Sequence, residues 1–596
     1  MRFEKTNNWS DENALEGLLF YVQRLQELSY DQSDFIEKAI GTPAKKIVGE
    51  YIEILRTDEE GVVKGLENEY EILRGELKEK LSTDTVAKSL LGNKRERYLA
   101  ALESESHKDV KSALQLISLK LSSERYWNLL KKSVIDILSF PKEKDKIHNM
   151  ANLTFEFLTM YGYEKGTIYH FINAVFYDKE RKIRIDSIND VSLFLEKFDL
   201  KMRKYDVYFV CSNLFQDISE SCESFDIEIL KEKTPEYNES LEKVFFKNTQ
   251  GKKSFIKCKN IEALDYLNAM RVAEEKASII SDLFVLFHHK SKPWFSNYCL
   301  VYNHKKKQVM NLSFSMNAMS KVNESDIDYA KEIFPIFLER FSLGRDSFKR
   351  FNRGVELHAL SLETNESSSQ ILNLWICLEA LLITGKGTHI SSVEKSVKTI
   401  VSNYYFKERL TNLYDLLERW DVEKLKAATE QLPDAWRDDD DLIVLALVGL
   451  KEYEDVATSL LREMDSYPLL RYKFMRLVRD FQSPSSLDEI KKSIEEKTVR
   501  DIRRIYIIRN KIVHQGVLDS RSGNVVEIAH YYLDTVMNVI IYNRILHENI
   551  NSIENFLFEQ NLFRAEHDAL MSAAKKSGIN SSNIQNVILG PDHEAI

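Results

Sequence analysis

"RDIRRIYIIRNKIVHQG" (residues 500–516) has the residue pattern of an amphipathic α-helix that ends at a glycine. On a helical wheel that advances about 100° per residue, five apolar residues fall within about 60° of Arg509. They are Ile502, Ile505, Tyr506, Ile512 and Val513. Gly516 is a favourable residue just beyond a helix C-terminus, so we expect the helix to end near Gln515.

The opposite face of this helix is basic and carries a histidine. It comprises Asn510, Arg503, His514, Arg500, Lys511 and Arg504, together with Ile507. His514 falls in the last turn, and Asn510 lies one turn earlier on nearly the same face. We therefore expect the Asn510 amide to orient the His514 ring.

Arg509 stands at the centre of the apolar stripe, where its charge needs a partner. A guanidinium does not deprotonate in proteins, and an unpaired buried charge is very costly. The partner must be a carboxylate, a phosphate or a group across a subunit interface. Glu379, an acid within the apolar helix pattern "LNLWICLEALL", is the intramolecular candidate, and its role could be confined to that ion pair.

The composition favours long helices and excludes several classes of protein. Only 19 glycines and 9 prolines occur in 596 residues. The net charge of −10 argues against broad attraction to nucleic acid, so any RNA contact requires a local basic patch. Five cysteines without a C-x2-C pair predict neither a disulfide framework nor a zinc module and fit a reducing cytoplasm. No segment is typical of a signal peptide or a membrane span, and we expect no cofactor and no metal.

The order of residue patterns predicts a mainly α protein with three regions. Helical periodicity runs through a large N-terminal region, residues 1–190, for which we expect a sensing or regulatory role. The segments "YDVYFV", "SFIKC", "NYCLVYN" and "VMNLSF" predict strands, which with one long helix form a small mixed α/β unit at residues 191–345. The pattern is helical again over residues 346–596, which predicts a C-terminal helical bundle.

Two further patterns leave alternatives open. The acidic run in "WRDDDDLIVLAL" (436–447) favours a helix N-cap and first turn over a metal cluster. A second R-x4-H pair, Arg353 and His358 in "RGVELH", lacks an asparagine after the arginine and lies inside a helical pattern. Spacing alone does not choose between the two R-x4-H pairs.

Context does separate them, because "IYIIRNKIVHQG" resembles the R-N-x-x-x-H signature of the HEPN ribonuclease superfamily. Upstream, "FNRGVELHALSLETNESSSQILNLWICLEALLITGKG" and "VEKSVKTIVSNYY" are similar to the first helices of the ApeA-like HEPN group, known for antiphage defence. The resemblance covers residues 260–550 and is strong only at 351–400 and 500–516. It implies that the C-terminal bundle is of the HEPN type.

The resemblance implies a metal-independent endoribonuclease that leaves 2′,3′-cyclic phosphate and 5′-hydroxyl ends. Arg509 would bind the scissile phosphate, His514 would move protons, Asn510 would position the phosphate or the histidine, and Glu379 would hold Arg509. Ideal helix geometry separates Arg509 and His514 by about 140°. Either the helix tightens or ends between them, or two copies of the bundle form one composite site in a homodimer.

The resemblance also implies partners and a rival function. The RNA-binding candidates are Arg500, Arg503, Arg504 and Lys511, and tRNA anticodon loops are the favoured target by analogy with the family. A free ribonuclease would be lethal, so the preceding regions are expected to restrain it until a phage-encoded trigger arrives. The alternative is a non-catalytic HEPN-like scaffold in which Arg509 makes a structural ion pair and His514 only caps the helix.

Overall fold

The computed structural model describes the whole chain except residues 31–40, 60–66, 181, 232–253, 286–288, 307, 314–316, 322–326, 384–387, 438, 482, 517–522, 548–549 and 592–596. It is mainly helical and contains one small antiparallel sheet, as the sequence predicts.

The described α-helices are numbered here in chain order. The N-terminal helices are α1 (Glu16–Ser29), α2 (Ala44–Glu59), α3 (Glu67–Thr83), α4 (Thr85–Leu91), α5 (Arg95–Ala101), α6 (His107–Lys120), α7 (Ser123–Leu138), α8 (Lys144–Tyr161), α9 (Lys165–Phe176) and α10 (Val191–Leu195). The middle helices are α11 (Leu214–Asp217), α12 (Ser219–Cys222), α13 (Tyr266–Val285) and α14 (Ile327–Arg340). The C-terminal helices are α15 (Arg345–Glu363), α16 (Ser367–Leu382), α17 (His389–Trp420), α18 (Val422–Thr429), α19 (Asp440–Gly449), α20 (Glu454–Glu463), α21 (Pro468–Phe481), α22 (Pro484–Gln515), α23 (Gly523–Leu546), α24 (Ile553–Ser577) and α25 (Ile584–Ile588).

The middle region holds the sheet. Its strands are β1 (Arg203–Cys211), β2 (Ile227–Leu230), β3 (Ser254–Ala263), β4 (Phe295–Asn303) and β5 (Gln308–Ser313). They pair antiparallel in the order β2-β3-β1-β4-β5, and α13 packs on the sheet through a small core of its own. The four predicted strands and the long helix between two of them are confirmed. The short edge strand β2 was not predicted, since four residues give too little alternation to identify a strand.

Two large hydrophobic cores hold the helical regions together. The largest core joins the N-terminal helices to the second half of α17, to α18–α21, to the C-terminal end of α24 and to α25. A second core joins α15, α16, the first half of α17, the second half of α22, and α23 with the start of α24. The second core is the C-terminal bundle that surrounds the predicted site, and residues 346–596 contribute to both cores.

Local capping explains where two of the predicted helices begin. Asp439 accepts a hydrogen bond from the Asp441 backbone N–H at 2.8 Å and is the N-cap of α19, so this part of the acidic run serves the cap that the sequence favours. Ser483 caps α22 in the same way, and Pro484 occupies the first turn, where a missing N–H costs nothing. Among the described residues, no helix is long and apolar enough to cross a membrane.

Candidate functional site

The predicted catalytic residues Arg509, Asn510 and His514 lie on the last two turns of α22. The helix remains regular to Gln515, and the Gly516 N–H donates to the Ile512 carbonyl at 3.0 Å. Gly516 has a φ of 65°, a left-handed conformation that favours glycine at this position. The predicted helix end is therefore confirmed.

The apolar stripe of α22 is buried in the bundle core at its start and reaches solvent at its end. Ile502 and Ile505 are fully buried. Tyr506 packs against the buried Trp375, with ring centroids 5.3 Å apart. Val513, one turn further along, is 51% exposed. The last turn thus presents an apolar side chain to solvent beside the candidate catalytic residues.

Arg509 and His514 do not meet within one chain. Arg509 is half-buried and donates from Nη1 to the Asn510 Oδ1 at 3.1 Å, whereas His514 is exposed. Because the helix neither tightens nor ends between them, the angle of about 140° holds. Of the two arrangements that the sequence left open, the one that brings both side chains together within a single helix is wrong.

Glu379 has a different partner from the one expected. Its carboxylate lies 3.5 Å from the Nδ1 atom of His389, at the start of α17. Within the described part of the chain, no ion pair joins Glu379 to Arg509. The structure therefore gives no contact through which Glu379 holds Arg509, and that role stays a prediction.

Each of the four RNA-binding candidates contacts a carboxylate. We call Arg500, Arg503, Arg504 and Lys511 the basic face. Arg500 pairs with Glu79 at 2.8 Å, Arg503 with Glu394 at 2.6 Å, Arg504 with Glu76 at 2.6 Å and also with Glu50, and Lys511 with Glu53 at 3.0 Å. Glu50 and Glu53 lie on α2, and Glu76 and Glu79 lie on α3. These four carboxylates, the acidic cover, place the N-terminal region against three of the four cations.

Arg504 makes the most deeply buried of these contacts. Its side chain is 14% exposed and lies between Glu50 and Glu76. Burial would lower the pKa of Arg504, but the two carboxylates outweigh that effect and raise it. Burial raises the pKa of Glu76, and Glu50 adds to that effect while Arg504 opposes it. Arg504, Glu50 and Glu76 therefore form a largely buried ion-pair network at the centre of the acidic cover.

Sequence reasoning missed one cluster of chemically active side chains. His358 on α15 lies against His530 and Asp534 on α23, and one ligand atom from each residue falls within 4.8 Å of the others. The sequence predicted no metal ligands, and it singled out His358 only as the histidine of the less favoured R-x4-H pair. The spacing of His530 and Asp534, one helical turn apart, is the available sequence signal, but nothing local links that pair to His358.

No protein-family model, no curated protein and no solved structure matches the chain.

Proposed function

We propose that the chain is an endoribonuclease of the HEPN type that acts in bacterial antiphage defence. Three features at the end of α22 support the proposal: the R-N-x-x-x-H residues lie on one regular helix, His514 is exposed, and Arg509 contacts Asn510. An arginine fork suits phosphate oxygens, and an imidazole exchanges protons near neutral pH. The arrangement provides the two groups that metal-independent RNA cleavage needs.

In the proposed reaction the ribose 2′-oxygen attacks the adjacent phosphorus and the bond to the 5′-oxygen breaks. His514 takes the 2′-hydroxyl proton, and water supplies a proton to the leaving 5′-oxygen. Arg509 neutralises the charge that develops on the phosphate, and Asn510 fixes the direction of the guanidinium through their 3.1 Å contact. The products are a 2′,3′-cyclic phosphate and a 5′-hydroxyl.

The continuity of α22 is the observation that carries the composite site. Because Arg509 and His514 diverge on one helix, a shared phosphate needs Arg509 from one copy and His514 from another. The C-terminal bundle offers an apolar surface for a second copy. Phe348, Val355 and Leu362 on α15 follow each other at intervals of seven residues, and each is at least 40% exposed. Residues at this spacing form one row along a helix, which suits packing against another helix.

A mixing experiment tests whether the site is composite. Arg509→Ala and His514→Ala proteins are each expected to be inactive, but a dimer containing one of each keeps one intact Arg509–His514 combination. Random exchange of subunits should restore about a quarter of the wild-type sites, since half of the dimers are mixed and each has one working site of two. No recovery from two variants that are shown to exchange subunits would contradict the composite site.

The acidic cover supplies the proposed restraint. Carboxylates of α2 and α3 occupy the guanidinium and ammonium groups that RNA phosphates would otherwise contact. A phage-encoded trigger would activate the enzyme by binding the N-terminal region and drawing the acidic cover away from the basic face. In this proposal tRNA is the first substrate to test.

The primary test of the activity is incubation of the purified protein with total bacterial tRNA in EDTA, with and without lysate from phage-infected cells. Circular dichroism checks that the protein remains folded in EDTA. Discrete fragments that end in cyclic phosphate, and that are absent with His514→Ala, would support the proposal. Intact RNA under every condition, with wild-type protein folded and dimeric, would contradict it.

A non-catalytic scaffold is the second candidate, favoured by the ion pairs of α22. The basic face joins the N-terminal helices and α17 to the bundle, as a purely structural helix would. Growth upon expression separates the two functions. Toxicity that is lost in Arg509→Ala and His514→Ala, but kept in the exposed-histidine control His170→Ala, supports the nuclease. Loss of soluble protein in the first two variants supports the scaffold.

A further inference from the structure

Three side chains from two helices converge at one point of the C-terminal bundle. The Nε2 atoms of His358 and His530 lie 2.9 Å apart. The Asp534 Oδ1 atom lies 3.3 Å from the Nε2 of His358, and the Asp534 Oδ2 atom lies 3.1 Å from the Nε2 of His530. His530 and Asp534 are one turn apart on α23, and His358 reaches them from α15.

Hydrogen bonds alone do not satisfy this arrangement. A carboxylate only accepts hydrogen bonds, and each neutral imidazole has one N–H and one lone pair. If both Nε2 atoms carry hydrogen, each can donate to its own Asp534 oxygen, but the two N–H groups then lie side by side with only 2.9 Å between their nitrogens. If only one carries hydrogen, the lone pair of the other faces the anionic Asp534. A cation between the three groups removes both conflicts, since all three then present lone pairs to it.

The distances suit a first-row transition metal. An ion with bonds of about 2.0–2.1 Å holds its ligand atoms about 3.3 Å apart in a tetrahedral site and about 3.0 Å apart on an octahedral face. The Nε2–Nε2 distance of 2.9 Å lies near the octahedral value, and the nearest carboxylate oxygens, Oδ1 at 3.3 Å from His358 and Oδ2 at 3.1 Å from His530, lie in the same range. Two imidazoles and one carboxylate are the donor set of many three-ligand zinc sites, which leave a position for water.

The cluster is also accessible from solvent. The His358 side chain is 24% exposed, while His530 is almost completely buried. An ion can therefore enter past His358 and reach His530 and Asp534 beneath it.

We propose that His358, His530 and Asp534 bind one divalent transition-metal ion, with Zn²⁺ as the best match to the donor set. The ion ties α15 to α23 across the bundle and so stabilises the C-terminal bundle. None of the three ligands lies on α22, so this proposal stands whether or not the chain is a ribonuclease.

One feature of the cluster sets the expected affinity. The Nδ1 atom of His530 is buried and has no hydrogen-bond partner among the described residues. A metal-bound histidine usually donates its second N–H to a carboxylate or carbonyl, and loss of such a contact weakens binding by about 10–100-fold. We therefore expect Zn²⁺ to bind His530 without that support and more weakly than at a fully built zinc site.

The test measures the metal content of the full-length protein after equilibration with Zn²⁺ and removal of unbound ions. Wild-type protein should retain one ion per chain, and His358→Ala and Asp534→Asn should lose it. His304→Ala is the matched control, because His304 pairs with Asp206 at 2.9 Å and no second histidine joins that pair among the described residues. This variant should keep the ion.

Two measurements on the wild-type protein do not depend on the folding of any variant. Bound Co²⁺ should give visible ligand-field absorption that Zn²⁺ displaces, and Zn²⁺ should raise the unfolding temperature. Equal metal retention by the wild type, His358→Ala and Asp534→Asn would overturn the proposal. So would the absence of any bound Zn²⁺ or Co²⁺ in folded wild-type protein.

Discussion

Removing the charge of the acidic cover should expose the basic face to RNA. The perturbation is a fourfold variant in which Glu50, Glu53, Glu76 and Glu79 become glutamine, so each side chain keeps its size but loses its charge. Arg504 then loses, at a largely buried position, both carboxylates with which it forms ion pairs. Breaking a buried ion pair costs up to about 3–5 kcal/mol, which favours release of α2 and α3 from α22.

The magnitude follows from the number of cations under the cover. Arg500, Arg504 and Lys511 become available, whereas Arg503 stays paired with Glu394 on α17. Each new contact with a single-stranded phosphate steepens the slope of log affinity against log salt by about 0.7. Three contacts steepen it by about 2. The variant should therefore lose about 20-fold more affinity than the wild type when the salt concentration rises fourfold.

The assay is fluorescence anisotropy with a short labelled single-stranded RNA over a range of KCl concentrations. A His514→Ala background prevents cleavage during the measurement. The matched control replaces the exposed carboxylates of Glu96, Glu105, Glu124 and Glu143 with glutamine. This control changes the net charge by the same amount and leaves the acidic cover intact.

A salt slope in the cover variant equal to that of the control would refute the reasoning, provided that both proteins are folded. Hydrogen exchange provides a second readout from the same samples. Amides of α2 and α3 should exchange faster in the cover variant than in the control, because the ion pairs that hold these helices to α22 are gone.

Three further predictions concern stability and local order. Gly516→Ala forces a residue with a Cβ to adopt a φ of 65°, so it should reduce stability by about 1–2 kcal/mol. It should also accelerate amide exchange in the last turn of α22, and unchanged exchange there would contradict this prediction. Trp375 is fully buried, and its indole N–H has no partner among the described residues. Trp375→Ala should therefore cost about 3–5 kcal/mol in denaturant unfolding, and Trp375→Phe should cost less. Equal losses of stability in the two variants would argue against the unpaired N–H. Burial lowers the pKa of His567 to about 4 from its ordinary 6.5, so the unfolded chain takes up a proton at this residue before the folded chain does. Its contribution, up to about 3 kcal/mol, is present above pH 6.5 and lost as pH falls towards 4, and His567→Gln should flatten the measured dependence of stability on pH relative to wild type.

Local patterns predicted those parts of the site that depend on local interactions. The end of α22 at Gln515 follows from Gly516, and the cap of α19 follows from Asp439, because each signal acts within one or two turns of the backbone. The same periodicity predicted the buried Ile502 and Ile505. The periodicity did not predict that the apolar stripe of α22 becomes exposed at Val513, since burial there depends on where the neighbouring helices end.

By itself, the sequence determined that the chain is mainly helical, that a small sheet interrupts it, and which residues share each face of α22. Only the tertiary structure decided what covers those faces. The acidic cover meets cations more than 420 residues further along the chain, and His358 meets His530 across 172 residues. Side-chain periodicity records the direction in which a residue points from its own helix, whereas the group that it meets depends on how distant helices pack.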